Sequence, residues 1–273
     1  MITRRLQEYL ESIDFYSPSQ SGFRSGHSTL DGLFKLEHYA RSALLNRKYC
    51  VAIFLDITSA FDTVWHYGLI KKLNNLGLKG NLIRFISQFL QNRSIKVRIN
   101  SSTSSPHSIK SGVPQGSTIS PTLFSVYIND IFDDLPEQVH FSLYADDGAF
   151  WVVNETLECA IETAQTALNK ITDWSRKWGL SLSPQKTNCV IFSLRQAKNP
   201  TQLKFINYPI PYVATTKFLG VIFDRWLTWK HHIAELENRC TKDIRLLRVI
   251  AANKWGADYR TLRKLCFSNS TQT

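Results

Sequence analysis

The chain has 273 residues, 43% hydrophobic and 20% charged, proportions that exclude a disordered polymer and leave ample apolar surface for a folded core. No apolar run approaches the length of a bilayer span, and the charged start Met1 to Glu8 lacks a signal-sequence core, so no membrane is expected and the chain is expected inside the cell. With 33 Lys and Arg against 22 Asp and Glu, the net charge of +11 calls for a polyanionic partner, either nucleic acid or an anionic surface.

Ile2, Leu6, Tyr9, Leu10 and Ile13 share one face of a first helix, which Ser17-Pro18-Ser19 breaks. The loop Gly22-Phe23-Arg24-Ser25-Gly26 leads to a helix capped by Ser28 or Thr29 and running to about Leu45. Arg24 there is either a solvated arginine or a phosphate contact. Cys50 to Leu55 is continuously apolar, as in a strand buried on both faces, and ends abruptly in Asp56. Asp56 could be a helix cap; Thr58 and Ser59 also offer caps, for a helix from about Ala60 to Leu76 that carries Phe61. Gly77 to Gly80 separates it from a second helix, Asn81 to Gln91. Ser94 to Asn100 alternates, with Ile95, Val97 and Ile99 on one face and Lys96 and Arg98 on the other, predicting a half-exposed strand with a basic face. The glycines of Ser111 to Gly116 allow close backbone approach to a ligand, and Ser120-Pro121 follows as cap and first residue of a helix reaching toward Asp133.

The apolar runs Val139 to Leu143 and Ala149 to Val153 are joined by Asp146-Asp147-Gly148, which reads as a tight hairpin turn with two adjacent carboxylates at its tip. Alternation points them to opposite faces, so one leads and the other assists from the side. Asp-Asp-Gly alone is ordinary turn chemistry. A further acid at the end of a buried strand, Asp56, turns the pair into a cluster that repels itself unless cations bind. Leu157 to Trp174 gives the cleanest helix, stopped by Gly179. Leu180 to Ser183 and Cys189 to Ser193 flank Pro184 to Thr187 as another hairpin, Pro200 to Pro211 has no pattern, and Val213 to Phe223 reads as two short strands around Thr215 and Gly220. From Trp226 to Leu265 the pattern is helical, with Ile233, Leu236, Cys240, Leu247 and Ile250 inside and Arg239, Lys242, Arg245 and Arg248 as a basic face of a kind that is usually just solvated. Ser268 to Thr273 reads as a frayed end. The five cysteines (Cys50, Cys159, Cys189, Cys240, Cys266) form no Cys-x-x-Cys pair, and adjacent His231 and His232 diverge on a helix, so free thiols and no zinc site are expected.

Three strings, FLDITSAFD (Phe54 to Asp62), SGVPQGS (Ser111 to Ser117) and YADD (Tyr144 to Asp147), stand in the order and at about the distances found in reverse transcriptases. With QSGFRSGHST (Gln20 to Thr29), SPTLFSVYIND (Ser120 to Asp130), Lys186-Thr187 and FLG (Phe218 to Gly220), the chain resembles the reverse transcriptases of jockey-type non-LTR retrotransposons. The resemblance implies an α+β right-hand polymerase fold with a ferredoxin-like palm, partial fingers and a truncated helical thumb. Its divisions would be fingers over 1–49, palm over 50–223 with inserted fingers elements at about 77–110, and the start of a thumb over 224–273.

It also implies an RNA-directed DNA polymerase that binds RNA template, DNA primer and dNTPs. Two Mg²⁺ ions, or Mn²⁺ in their place, would be held by Asp56, Asp146, Asp147 and the Ile57 carbonyl. Phe61 matches the residue that closes over the sugar against a 2′-hydroxyl, though a core aromatic is its ordinary role. Gln115 matches a lining residue of the nucleotide site, Arg24 and Lys186 match residues near the triphosphate, and Phe218-Leu219-Gly220 matches the primer grip. No Ser-His-Asp or Cys-His arrangement offers a protein nucleophile in competition. The family's earlier fingers block with Arg-Pro-Ile is not among these residues, nor is an endonuclease, an RNase H or a Cys-His knuckle, so an excerpt or a decayed copy is expected. The family implies the nucleus. The competing function is a catalytically silent nucleic-acid-binding remnant; an RNA-dependent RNA polymerase shares the paired carboxylates, but Phe61 and the FLG stretch speak against it.

Overall fold

A computed structural model describes residues 2–197, 199–251 and 256–261. Cys266, the frayed end and the last part of the expected C-terminal helix lie outside these. The chain opens with helices α1 (Ile2–Ser12) and α2 (Thr29–Leu45), strand β1 (Tyr49–Leu55), and helices α3 (His66–Asn75) and α4 (Asn81–Leu90). Short ribbons follow, β2 (Arg93–Ile95), β3 (Arg98–Ile99), β4 (Ser102–Thr103) and β5 (His107–Ile109), then helix α5 (Ser120–Ile128). The hairpin β6 (Val139–Tyr144) and β7 (Asp147–Asn154) leads to helix α6 (Leu157–Trp178) and strand β8 (Asn188–Phe192). Ribbons β9 (Lys204–Phe205), β10 (Tyr208–Pro209), β11 (Thr215–Phe218) and β12 (Val221–Asp224) precede helix α7 (Lys230–Ile250).

The central sheet has the order β6-β7-β1-β8 with every neighbour antiparallel, which is the split β-α-β arrangement of ferredoxin-like folds. Strand β1 explains the layers. Val51, Ile53 and Leu55 pack on one face with α6, while Cys50, Ala52 and Phe54 pack on the other with Leu36, Ala40 and Ala43 of α2. A strand covered on both sides needs no polar alternation, which is why its sequence is one apolar run. Helix α6 buries Leu157, Ala160, Ile161, Ala164, Leu168 and Ile171 and stops at Gly179, whose φ of +69 is the left-handed cap that glycine adopts without cost.

Lys72 of α3 is an exception to core chemistry. Its ammonium donates to the Tyr127 carbonyl at 2.6 Å and to the Asp130 carboxylate, and it lies 4.0 Å from the Trp178 ring. Burial pushes its pKa down to about 8, against the opposing charge of Asp130.

Several expectations are corrected. The helix expected from Ala60 begins only at His66: Ser59 is left-handed (φ +48), and the carbonyls of Phe61 and Val64 accept from Val113 and Gly112 at 2.7 and 2.8 Å. Residues 58–62 form a turn tied to the Ser111–Val113 loop, and Thr58 and Ser59 cap nothing. The expected strand Ser94 to Asn100 divides between two ribbons, and Ile95, Val97 and Ile99 stand 53, 58 and 69% exposed. Leu180 to Ser183 does not pair with β8; Ser183 N–H donates to the Asp56 carbonyl and Thr58 N–H to the Ser181 carbonyl, so the segment closes over the end of β1. Ser120 lies inside α5 rather than capping it. Pro200 to Pro211, patternless in sequence, carries the β9–β10 ribbon and buries Leu203, Phe205 and Ile210 completely. Helix α7 has none of its expected inside: it buries no residue.

Candidate active site

The carboxylates are brought together by β1 and the β6–β7 hairpin. Leu55 pairs with Gly148, so Asp56, one residue on, comes out of the sheet beside the tip that carries Asp146 and Asp147. The turn is not Asp-Asp-Gly. Tyr144 pairs with Asp147, leaving Ala145 and Asp146 as a two-residue turn with Ala145 at φ +55. Asp147 is therefore the first residue of β7, and only Asp146 stands at the very tip.

The electrostatics show an unsatisfied cluster. Asp147 is held above the usual carboxylate range, first by loss of solvent around it and then by the charges of Asp146 and Asp56. The Oδ1 atom of Asp56 is buried and accepts no hydrogen bond from the described residues; the Lys186 ammonium stands 3.5 Å from it. Ile57 forms a bridge with Leu182 whose two hydrogen bonds belong to its neighbours Asp56 and Thr58, so the Ile57 carbonyl accepts none from the described residues. A buried carboxylate oxygen that accepts no hydrogen bond, beside a second carboxylate and a free carbonyl, is a hard-oxygen donor set. Among the described residues, no group of three or more His, Cys, Asp and Glu could hold a metal ion alone. Mg²⁺ does not need such a cage, since it takes one or two carboxylates and fills its remaining positions with water and substrate phosphate.

Phe61 is half-buried, stacked on Phe124 at 4.9 Å and met edge-on by Phe23 at 6.5 Å. It comes from the 58–62 turn, not from a helix. Gln115 is exposed, its amide 3.4 Å from the Asp62 carboxylate. In the same loop Gly112 makes its close approach to protein: a β-carbon there would lie 2.8 Å from the Asp62 backbone, and its φ is +84. Phe218 is core, 5.4 Å from Phe54, while Leu219 and Gly220 form the β11–β12 turn.

Arg24 is not free to meet a phosphate. Nε and Nη2 donate to the Glu11 carboxylate at 2.9 and 2.8 Å, Nη1 to the Gln20 carbonyl at 3.0 Å, and the guanidinium covers the Tyr16 ring. It is the anchor of its loop. Two structural roles had no clear sequence signal. Asp224 accepts from the N–H groups of Trp226, Thr228 and Trp229 and from the Thr228 hydroxyl, fixing the lead into α7. Gln20 is fully buried behind the hairpin.

A family model described as reverse transcriptase (RNA-dependent DNA polymerase) matches residues 1–223. The chain is 29% identical over 272 residues to the probable RNA-directed DNA polymerase from transposon X-element of Drosophila melanogaster, covering 98% of this chain and 29% of that protein. It is 35% identical over 228 residues to the RNA-directed DNA polymerase from mobile element jockey of Drosophila funebris, covering 80% and 24%. The chain thus spans less than a third of the length of these curated relatives. Among solved structures, truncated apo telomerase from Candida tropicalis superposes with a TM-score of 0.57 at 14% identity, over 84% of this chain and 43% of that one, a likeness of fold consistent with a right-hand polymerase. The sheet order, the spacing of the motifs and the jockey-type relatives agree: the chain belongs to the reverse transcriptase (RNA-dependent DNA polymerase) family.

Proposed function

We propose that this chain is the polymerising core of an RNA-directed DNA polymerase, extending a DNA primer on an RNA template. The observation that carries the proposal is the meeting of Asp56, whose Oδ1 accepts no hydrogen bond from the described residues, with Asp146 and Asp147 at one end of the sheet. Asp56, the Ile57 carbonyl, Asp146 and Asp147 are the groups that would hold two Mg²⁺ ions. Such ions, when bound, stabilise the attacking and leaving oxygens of an in-line displacement.

The chain's own residues do the rest. Lys186, exposed and weakly paired to Asp56, would exchange that carboxylate for the nucleotide's phosphates. Phe61, braced by Phe124 and Phe23, would close over the sugar against a 2′-hydroxyl. Gln115 lines the nucleotide side, and the Leu219-Gly220 turn supports the primer. In this reading 1–49 are fingers, 50–223 palm with fingers elements at about 77–110, and α7 the start of a thumb whose Arg239, Lys242, Arg245 and Arg248 track the duplex backbone.

The test is extension of oligo(dT) on poly(rA) with Mg²⁺ or Mn²⁺. Metal-dependent incorporation of dTTP supports a polymerase. Salt-sensitive binding to the duplex with no incorporation at any metal concentration would leave a silent nucleic-acid-binding remnant.

A further inference from the structure

The loop between α1 and α2 reaches the carboxylate-bearing turn through its backbone. Leu143 N–H donates to the Ser19 carbonyl and Ser21 N–H to the Leu143 carbonyl, each at 2.9 Å, so Ser19 to Ser21 runs parallel to the end of β6. Gly22, next in the chain, lies so close to the turn that a β-carbon there would sit 2.2 Å from Ala145 N and 3.0 Å from Tyr144 C. Both are backbone atoms, which cannot swing aside as a side chain can.

Ala145 itself is held in the left-handed region at φ +55, a conformation that persists only when its surroundings over-determine it. Those surroundings are tied together by hydrogen bonds. Gln20, with no exposed surface, accepts the Gly22 N–H on Oε1 at 2.9 Å, and Arg24 ties the far side of the loop to Glu11. Phe23, between them, touches Phe61.

We propose that Gly22 is a positioning residue for the active site: because it has no side chain, the loop seats Ala145 and so sets where Asp146 stands relative to Asp56. The proposal rests on the reading of these carboxylates as metal ligands. With a methyl group at residue 22, the 2.2 Å contact to Ala145 N cannot persist, so the loop and the turn must separate and the seat of Asp146 relative to Asp56 shifts. A displacement of about 1 Å in reacting geometry costs about 100-fold in rate.

The experiment compares the parent chain with Gly22→Ala and Ser25→Ala. Mn²⁺ binding is followed by titration calorimetry, and kcat and KM for dTTP are measured on poly(rA)/oligo(dT). Gly22→Ala is expected to weaken Mn²⁺ binding about ten-fold or more, as supporting groups of metal ligands do. It should lower kcat about 100-fold, with the Kd for the primer-template within about two-fold of the parent and Ser25→Ala unchanged. A merely structural glycine would lower the melting temperature without moving Mn²⁺ affinity or separating kcat from KM. A folded Gly22→Ala protein with the parent's Mn²⁺ affinity and kcat overturns the proposal. If circular dichroism shows that Gly22→Ala does not fold, Gln20→Ala, which removes the acceptor of the Gly22 N–H, decides by the same two readouts. A parent chain that binds no Mn²⁺ overturns the metal reading itself, an outcome distinct from a parent that binds it and variants that bind it equally well.

Discussion

Strand β1 and helix α7 both carry clear apolar patterns, yet one is buried on both faces and the other on none. In β1 the run Cys50 to Leu55 lies between α2 and α6, and its end delivers Asp56 to the carboxylate cluster. In α7, Ile233 is 60% exposed and Val249 61%, and its base is held by Asp224 together with the Phe223–Trp229 ring contact. An apolar stripe states which face seeks cover; it does not say what provides it. The site is accordingly built on the rigid element, where a carboxylate can be held to within a fraction of an ångström, and the basic groups stand on the free one.

The largest effect that sharpens this contrast is expected at the hairpin tip. Asp146→Asn removes charge from a donor set without touching the sheet, so extension should fall by roughly 100- to 1,000-fold or more, the scale of losing one electrostatic stabiliser of a transition state. Duplex binding, measured by fluorescence anisotropy, should stay within about two-fold, because the substitution takes away no group that meets a phosphate. Equal extension by parent and variant would remove Asp146 from the site. Next in size, Ile53→Ala should destabilise by about 2 to 5 kcal/mol in urea, whereas Ile233→Ala should change stability by less than about 0.5 kcal/mol. Similar costs at the two positions would show α7 to be covered in solution.

Lys72 adds a pH dependence that belongs to the buried side alone. Its folded pKa of about 8 lies below the 10.5 of an unperturbed lysine, so the unfolded chain binds more protons between those values. Stability should therefore rise with pH across that window relative to Lys72→Met, by at most about 1.4 kcal/mol per unit. Parallel melting curves for the two proteins from pH 8 to 10 would mean that Lys72 is not desolvated. Phe61→Ala should admit UTP beside dTTP and also loosen the stack on Phe124. A lower melting temperature with unchanged sugar discrimination would make Phe61 core packing only. The smallest per-residue effect is expected on α7: neutralising Arg239, Lys242, Arg245 and Arg248 should reduce the slope of log K against log salt by about one for each phosphate that the helix no longer neutralises. An unaltered slope would leave that helix merely solvated.

The placement of the candidate site's carboxylates could be read from the sequence because its determinants are local. Asp56 ends an unbroken apolar run, and Asp146 and Asp147 follow another, so each carboxylate is fixed by a strand whose burial the composition already states. The register of the turn was not legible: Gly148 resembles a turn residue, but it is paired with Leu55 and Leu143 inside the sheet, and the strained Ala145 takes the corner. The helix expected from Ala60 failed for a tertiary reason, since the Ser111–Val113 loop captures the carbonyls a helix would use. Arg24 carried a motif's promise, yet its partner Glu11 lies 13 residues earlier on α1, a distance at which no local pattern speaks. Gln20 is visible only as the start of the QSGFRSGHST string and Gly22 only as part of that string and of a two-glycine loop, because the closeness that gives them meaning is to a turn more than 100 residues away.

We propose Asp56, the Ile57 carbonyl and the Asp146-Asp147 tip as a divalent-cation site for nucleotidyl transfer. Its most direct test is anomalous diffraction from crystals of the chain with Mn²⁺, a primer-template duplex and a non-hydrolysable dTTP analogue. Manganese peaks are expected within about 2.0 to 2.5 Å of carboxylate oxygens of Asp56 and Asp146. Manganese bound only to the analogue's phosphates, with both carboxylates uncoordinated, would contradict it.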